Sequence, residues 1–125
     1  MTIRTSARWC ALGLYLALIT ILSLLPGRAF NGISAPPGTD KLVHAGMYAG
    51  FVILGAWALW DRDPPPLRWL ALTAVTAFAY GLLMELAQGA LAIERVCSGA
   101  DMLANAVGSA LGALVWRAWV WAVSR

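Results

Sequence analysis

The sequence predicts an all-α membrane protein, a bundle of four transmembrane helices, and two observations carry that prediction. Of 125 residues, 61% are hydrophobic and 12% charged, about half the charged share of an ordinary soluble domain. The apolar residues also gather into four stretches, each near the roughly 20 residues that a helix needs to cross about 30 Å of hydrocarbon. A chain this short has too little interior to hide most of its length in a soluble core, so its apolar surface must face lipid. Helices are the expected element because unpaired backbone groups in lipid cost several kcal/mol each, and the sequence has no alternating barrel pattern.

The first span is expected at residues 9–25, stopped by Pro26-Gly27. Arg4 and Arg8 ahead of it resemble the start of a signal peptide. The apolar run is longer than a usual signal core, however, and no A-x-A site follows, so the segment is expected to stay attached. Residues 26–39, rich in Gly, Pro, Asn and Ser, read as a loop. The second span is expected at 42–60. Pro64-Pro65-Pro66 then makes a stiff turn into the third, at 67–93, and the fourth follows at 102–123. With no internal repeat or linker, residues 1–125 form a single transmembrane domain.

Short-loop charge sets the orientation. Arg4, Arg8, Arg62, Arg68, Arg117 and Arg125 fall on one side, against Arg28, Lys41 and Arg95 on the other. That excess places both termini of a multi-pass membrane protein in the cytoplasm. The seven tryptophans all lie near the cytoplasmic ends, as an interfacial belt on one side. The net charge of +3 is spread over single basic residues rather than a run or stripe, which argues against a nucleic-acid partner. Cys10 and Cys97 are too few for a disulfide framework or zinc site. They are expected at opposite membrane faces, too far apart to bond within one chain.

The external ends of spans two, three and four carry the chemistry. Lys41, His44 and Tyr48 follow Asp40 at spacings of three and four, nearly on one helical face. Glu85 and Gln88 share a face of span three, and Asn105 stands one turn beyond Asp101 in span four, which is entered through Arg95. At 1.5 Å per residue, Gln88 and Asn105 lie about 6 to 8 Å inside the external interface, and Tyr48, Glu85 and Gly108 about 10 to 12 Å. A carboxylate at that depth costs roughly 2.5 to 3.5 kcal/mol, so Glu85 must face the bundle and be protonated, paired or hydrogen-bonded. Ala100, Ala104, Gly108 and Gly112 form a small-residue ladder on span four. Gly108 and Gly112 read as helix-packing positions, with Gly108 either seating span three or leaving room for a ligand beside Glu85.

The segments DKLVHAGMY (40–48), ELAQ (85–88) and RVCSGADMLANAVGSALG (95–112) resemble the VanZ-like family of small bacterial membrane proteins, over most of the chain. Ala45 departs from the pattern, since the family often has an aromatic residue after the histidine. The resemblance implies an envelope protein under a family label of teicoplanin resistance, with no established biochemical mechanism.

Each polar residue also has an ordinary reading. Gln88 and Asn105 can be interhelical hydrogen-bond glue, Asp40 and Asp101 N-caps, and Arg95 an interfacial charge. Three functional classes follow. The first is a non-enzymatic envelope protein whose external pocket, built from Asp40, Lys41, His44, Tyr48, Glu85, Gln88, Arg95, Asp101 and Asn105, binds a lipid or cell-wall precursor head group. The second is a membrane enzyme with Glu85 or His44 as acid or base. No nucleophile elbow, phosphate loop or HExxH pair supports it, and no catalytic residue is assigned. The third is an accessory subunit packed on a larger membrane complex through the span-four ladder and the tryptophans. The expected partners are the bilayer, with a lipid-linked envelope precursor or other membrane proteins. No cofactor is expected, and one histidine with dispersed carboxylates is a weak metal signal, so no metal is assigned.

Overall fold

The computed structural model describes residues 3–60, 63–91 and 96–125. Its elements are α1 (Ile3–Leu24), a short 3-10 turn (Gly27–Phe30), α2 (Thr39–Leu59), α3 (Leu67–Leu91) and α4 (Gly99–Val123). All four long helices are long and apolar enough to cross a membrane, and the chain is an all-helical, multi-pass membrane bundle in contact with lipid. The expected spans lie within six residues of these bounds. Residues 92–93, expected in the third span, lie outside the described residues, as do Asp61 and Arg62 of the connection before it.

The helix ends follow local chemistry. Pro26 has no N–H to continue α1, and the chain turns into the 3-10 segment, where Ala29 N donates to Pro26 O at 2.9 Å. Gly38 starts α2 with a φ of 85°, a left-handed conformation that a side chain resists. The proline turn starts α3, with Pro66 O accepting from Trp69 N at 2.9 Å. Ser98 caps α4, its side chain accepting from Asp101 N.

Asp40 and Asp101 are therefore not N-caps. Gly38 and Ser98 hold those positions, and both aspartates sit in the first helical turn, where the helix dipole still favours a negative charge.

Helix α2 is the centre of the bundle. It packs on α1, α3 and, most extensively, on α4, whereas among the described residues α1 and α4 do not meet. The chain enters both α2 and α4 from the same end, so these two helices run parallel. Their contact is made close by the small-residue ladder. A Cβ on Gly108 would stand 2.2 Å from Ala45 O, and one on Gly112 would stand 2.6 Å from Ala49 O. The ladder thus seats span two, which corrects the expectation that Gly108 faces span three or a ligand. Ala45 presents its backbone to Gly108.

The interior is mixed in polarity and the outside apolar, as expected where lipid tails give helices no hydrophobic reason to associate. Leu12, Ile19, Phe51, Val52, Leu70 and Ala77 form an apolar core. Ser23, His44, Thr73, Glu85, Gln88 and Asn105 are buried with them, while Leu14, Leu42, Leu83 and Leu103 point outward. Tyr15 fastens α1 to α2 by donating to Met47 O at 3.0 Å, and Thr20 hydrogen-bonds Tyr80 of α3.

The end opposite the polar residues carries the tryptophans. Trp60 stacks edge-on against Trp116 and Trp119, with centroids 5.5 and 5.1 Å apart, and Arg8 donates to Trp60 O. Trp116 is buried, so part of the expected interfacial belt is packing within the bundle.

Candidate functional site

The site is built from α2, α3 and the start of α4. Ser98 Oγ accepts from Asp101 N at 3.3 Å, which fixes the first turn of α4 with Asp101 beside α2. Lys41, two residues into α2, meets it, with Nζ 2.7 Å from Asp101 Oδ1, and pairs with Asp40 as well. One turn deeper the two parallel helices meet again. His44 Nδ1 lies 3.0 Å from Asn105 Oδ1, a buried contact. Two polar rungs, Lys41 with Asp101 and His44 with Asn105, therefore sit above the glycine contacts at Ala45 and Ala49.

Glu85 comes to this cluster from α3. Its side chain is 1% exposed, so a charge here is far from water and depends on its neighbours. Oε2 accepts from Ser98 N at 3.2 Å, and Oε1 lies 3.7 Å from His44 Nδ1. The carboxylate thus holds the residue that caps α4 and also faces the imidazole. Asn105 is equally buried, and Gly81, one turn before Glu85, makes room for it. A Cβ at Gly81 would stand 2.8 Å from Asn105 Nδ2. A ligand atom from each of His44, Glu85 and Asp101 can be chosen so that all lie within 4.8 Å of one another. Exposure rises toward the end of the bundle, from Glu85 at 1% through Asp101 at 16% to Lys41 at 38%.

Of the nine residues expected in the site, Asp40, Lys41, His44, Glu85, Asp101 and Asn105 are brought together. Gln88 is not with them. It turns to α1, where Nε2 donates to Ser23 O at 2.7 Å in the last turn of that helix. The expected level of Gln88 with Asn105 thus produces no contact, because the two side chains leave α3 and α4 toward different neighbours. Tyr48 is buried in the apolar core. Arg95 lies outside the described residues.

Sequence reasoning missed Ser98, Ser23 and Gly81. Ser98 was within reach, because Ser98-Gly99-Ala100-Asp101 has the serine-x-x-acid spacing of a helix start. Ser23 acts through its backbone and Gly81 through its missing side chain, so neither leaves a signal of its own. Cys10 and Cys97 are both free thiols.

No family model matches this chain, and no curated protein or solved structure is significantly similar to it.

Proposed function

We propose that this chain is a VanZ-like protein of the bacterial cytoplasmic membrane, with both termini in the cytoplasm. It is non-enzymatic, and the polar end of its bundle binds the head group of a lipid or lipid-linked envelope precursor. One observation carries the reading. His44, Glu85 and Asn105 are buried, come from three different helices, and converge below a more exposed Lys41 and Asp101. Membrane-depth polar groups are costly and tend to mark binding sites or pathways. The graded opening supplies both a charged mouth for a head group and hydrogen-bonding groups beneath it.

The accessory-subunit reading loses part of its basis. Gly108 and Gly112 of the ladder and the buried Trp116, which would have served as contact surfaces, are engaged inside the bundle.

The test is complementation of a deletion strain, with membrane abundance measured in parallel. Under the binding reading, Glu85→Gln is expected to remain at normal abundance and lose function, because it keeps the shape but not the ionisable carboxyl group. Full complementation by Glu85→Gln together with Lys41→Gln reduces the cluster to packing and overturns the reading. A C-terminal reporter that is active only in the cytoplasm supports the orientation, and an external signal reverses it.

A further inference from the structure

We propose that His44, Glu85 and Asp101 form a binding site for one divalent first-row transition-metal ion at the polar end of the bundle. The site shares its residues with the head-group reading but does not rest on it, because an ion can bind there without lipid.

The geometry is that of a ligand set. Three donors from three helices lie within 4.8 Å of one another. Bonds of about 2.0 to 2.2 Å to one ion set three donors about 3.3 to 3.8 Å from one another, so side-chain rotations of about 1 Å draw this set onto a shared ion. The donor types, one imidazole and two carboxylates, suit an ion such as Mn2+ or Zn2+ better than Mg2+ or Ca2+, which take oxygen ligands.

Charge points the same way. Glu85 and Asp101 place two carboxylates around one imidazole at the low-dielectric end of a membrane bundle, and Lys41, which reaches Asp101, is shared with Asp40. A divalent ion between the carboxylates offsets their mutual repulsion.

A third observation comes from Asn105. Its contact with His44 Nδ1 holds the ring in the cluster and leaves Nε2 as the nitrogen offered to an ion, as outer hydrogen-bond partners on the other ring nitrogen hold metal-ligating histidines. The amide nitrogen of the same side chain is buried and has no hydrogen-bond partner among the described residues, so the polar network is one acceptor short.

The experiment uses the full chain, delipidated in detergent, stripped with chelator and titrated with Mn2+, whose free-ion EPR signal reports binding and which has little affinity for the thiols of Cys10 and Cys97. One Mn2+ per chain is expected. Affinity should fall at least about tenfold in His44→Gln, Glu85→Gln and Asp101→Asn, and stay unchanged in Asp63→Asn at the other end of the bundle. Lys41→Gln should bind several-fold more tightly, because the ammonium beside Asp101 is removed. Size-exclusion profiles report which variants fold. If Glu85→Gln does not, Asp101→Asn at the more exposed mouth decides the matter. Wild-type protein that binds no Mn2+ at about 1 mM, or binding undiminished in every folded ligand variant, overturns the site whatever the outcome of complementation.

Discussion

Adding one methyl group at Gly108 tests the seat between α2 and α4. A Cβ there would stand 2.2 Å from Ala45 O and 2.7 Å from Ala45 Cα, so the obstacle is backbone that cannot rotate away. Carbon and oxygen approach to about 3.3 Å in close helix contacts, and the two helices must therefore part by about 1 Å. Overpacking of this kind costs about 1 to 3 kcal/mol, and parting α2 from α4 also stretches the 3.0 Å contact between His44 and Asn105. An interhelical hydrogen bond in a membrane adds about 0.6 kcal/mol. Gly108→Ala is expected to lose about 2 to 3 kcal/mol, roughly thirty- to 150-fold in the folded-to-unfolded ratio. Gly112→Ala, with 2.6 Å to Ala49 O, should lose less. Gly46→Ala meets nothing within 4 Å and is the control, expected within about 0.5 kcal/mol of wild type. The assay is equilibrium unfolding in mixed micelles of mild detergent and dodecyl sulfate, followed by tryptophan fluorescence. If Gly108→Ala is no less stable than Gly46→Ala, α2 and α4 do not meet through that glycine.

Two further substitutions probe the walls of the site. Gln88→Leu leaves Ser23 O without its donor at the end of α1, a loss of about 1 to 2 kcal/mol; hydrogen exchange should speed up in the last turn of α1 and hardly change in α4. His44 is the chain's one histidine, so its ring 15N signals report the site without assignment. Gly81→Ala should shift them by displacing Asn105, Gly13→Ala should not, and equal spectra for both refute the contact.

The four helices were legible because bilayer thickness leaves few alternatives for apolar runs of this length, and Pro26 and the Pro64-Pro65-Pro66 turn mark where two of them stop and start. The meeting of Lys41, His44, Glu85, Asp101 and Asn105 was legible from depth, because helical rise converts sequence position into height in the membrane. Depth says nothing about direction around the helix. Gln88 and Asn105 stand at similar heights, yet Gln88 faces α1 and Asn105 faces α2 and Gly81. The same gap left the neighbour of Gly108 open, since a glycine shows that something comes close without showing what. The caps were misplaced because aspartate is acceptable both at the cap and in the first turn, and the competing Ser98 lies outside the apolar run.

The parallel pairing of α2 with α4 has a consequence for how the protein is made. Helices α1, α2 and α3 are synthesised before any residue of α4, yet α4 supplies Asn105 and Asp101, and the segment leading into it supplies Ser98 N, the hydrogen-bond donor to Glu85. A chain released early therefore holds a carboxylate at membrane depth without that donor, and leaves the Ala45 and Ala49 surface of α2 uncovered. Both are features that mark an unassembled helix in a bilayer. Truncations before Ser98 are therefore expected to be short-lived even though three of the four spans are intact, which pulse-chase turnover measures.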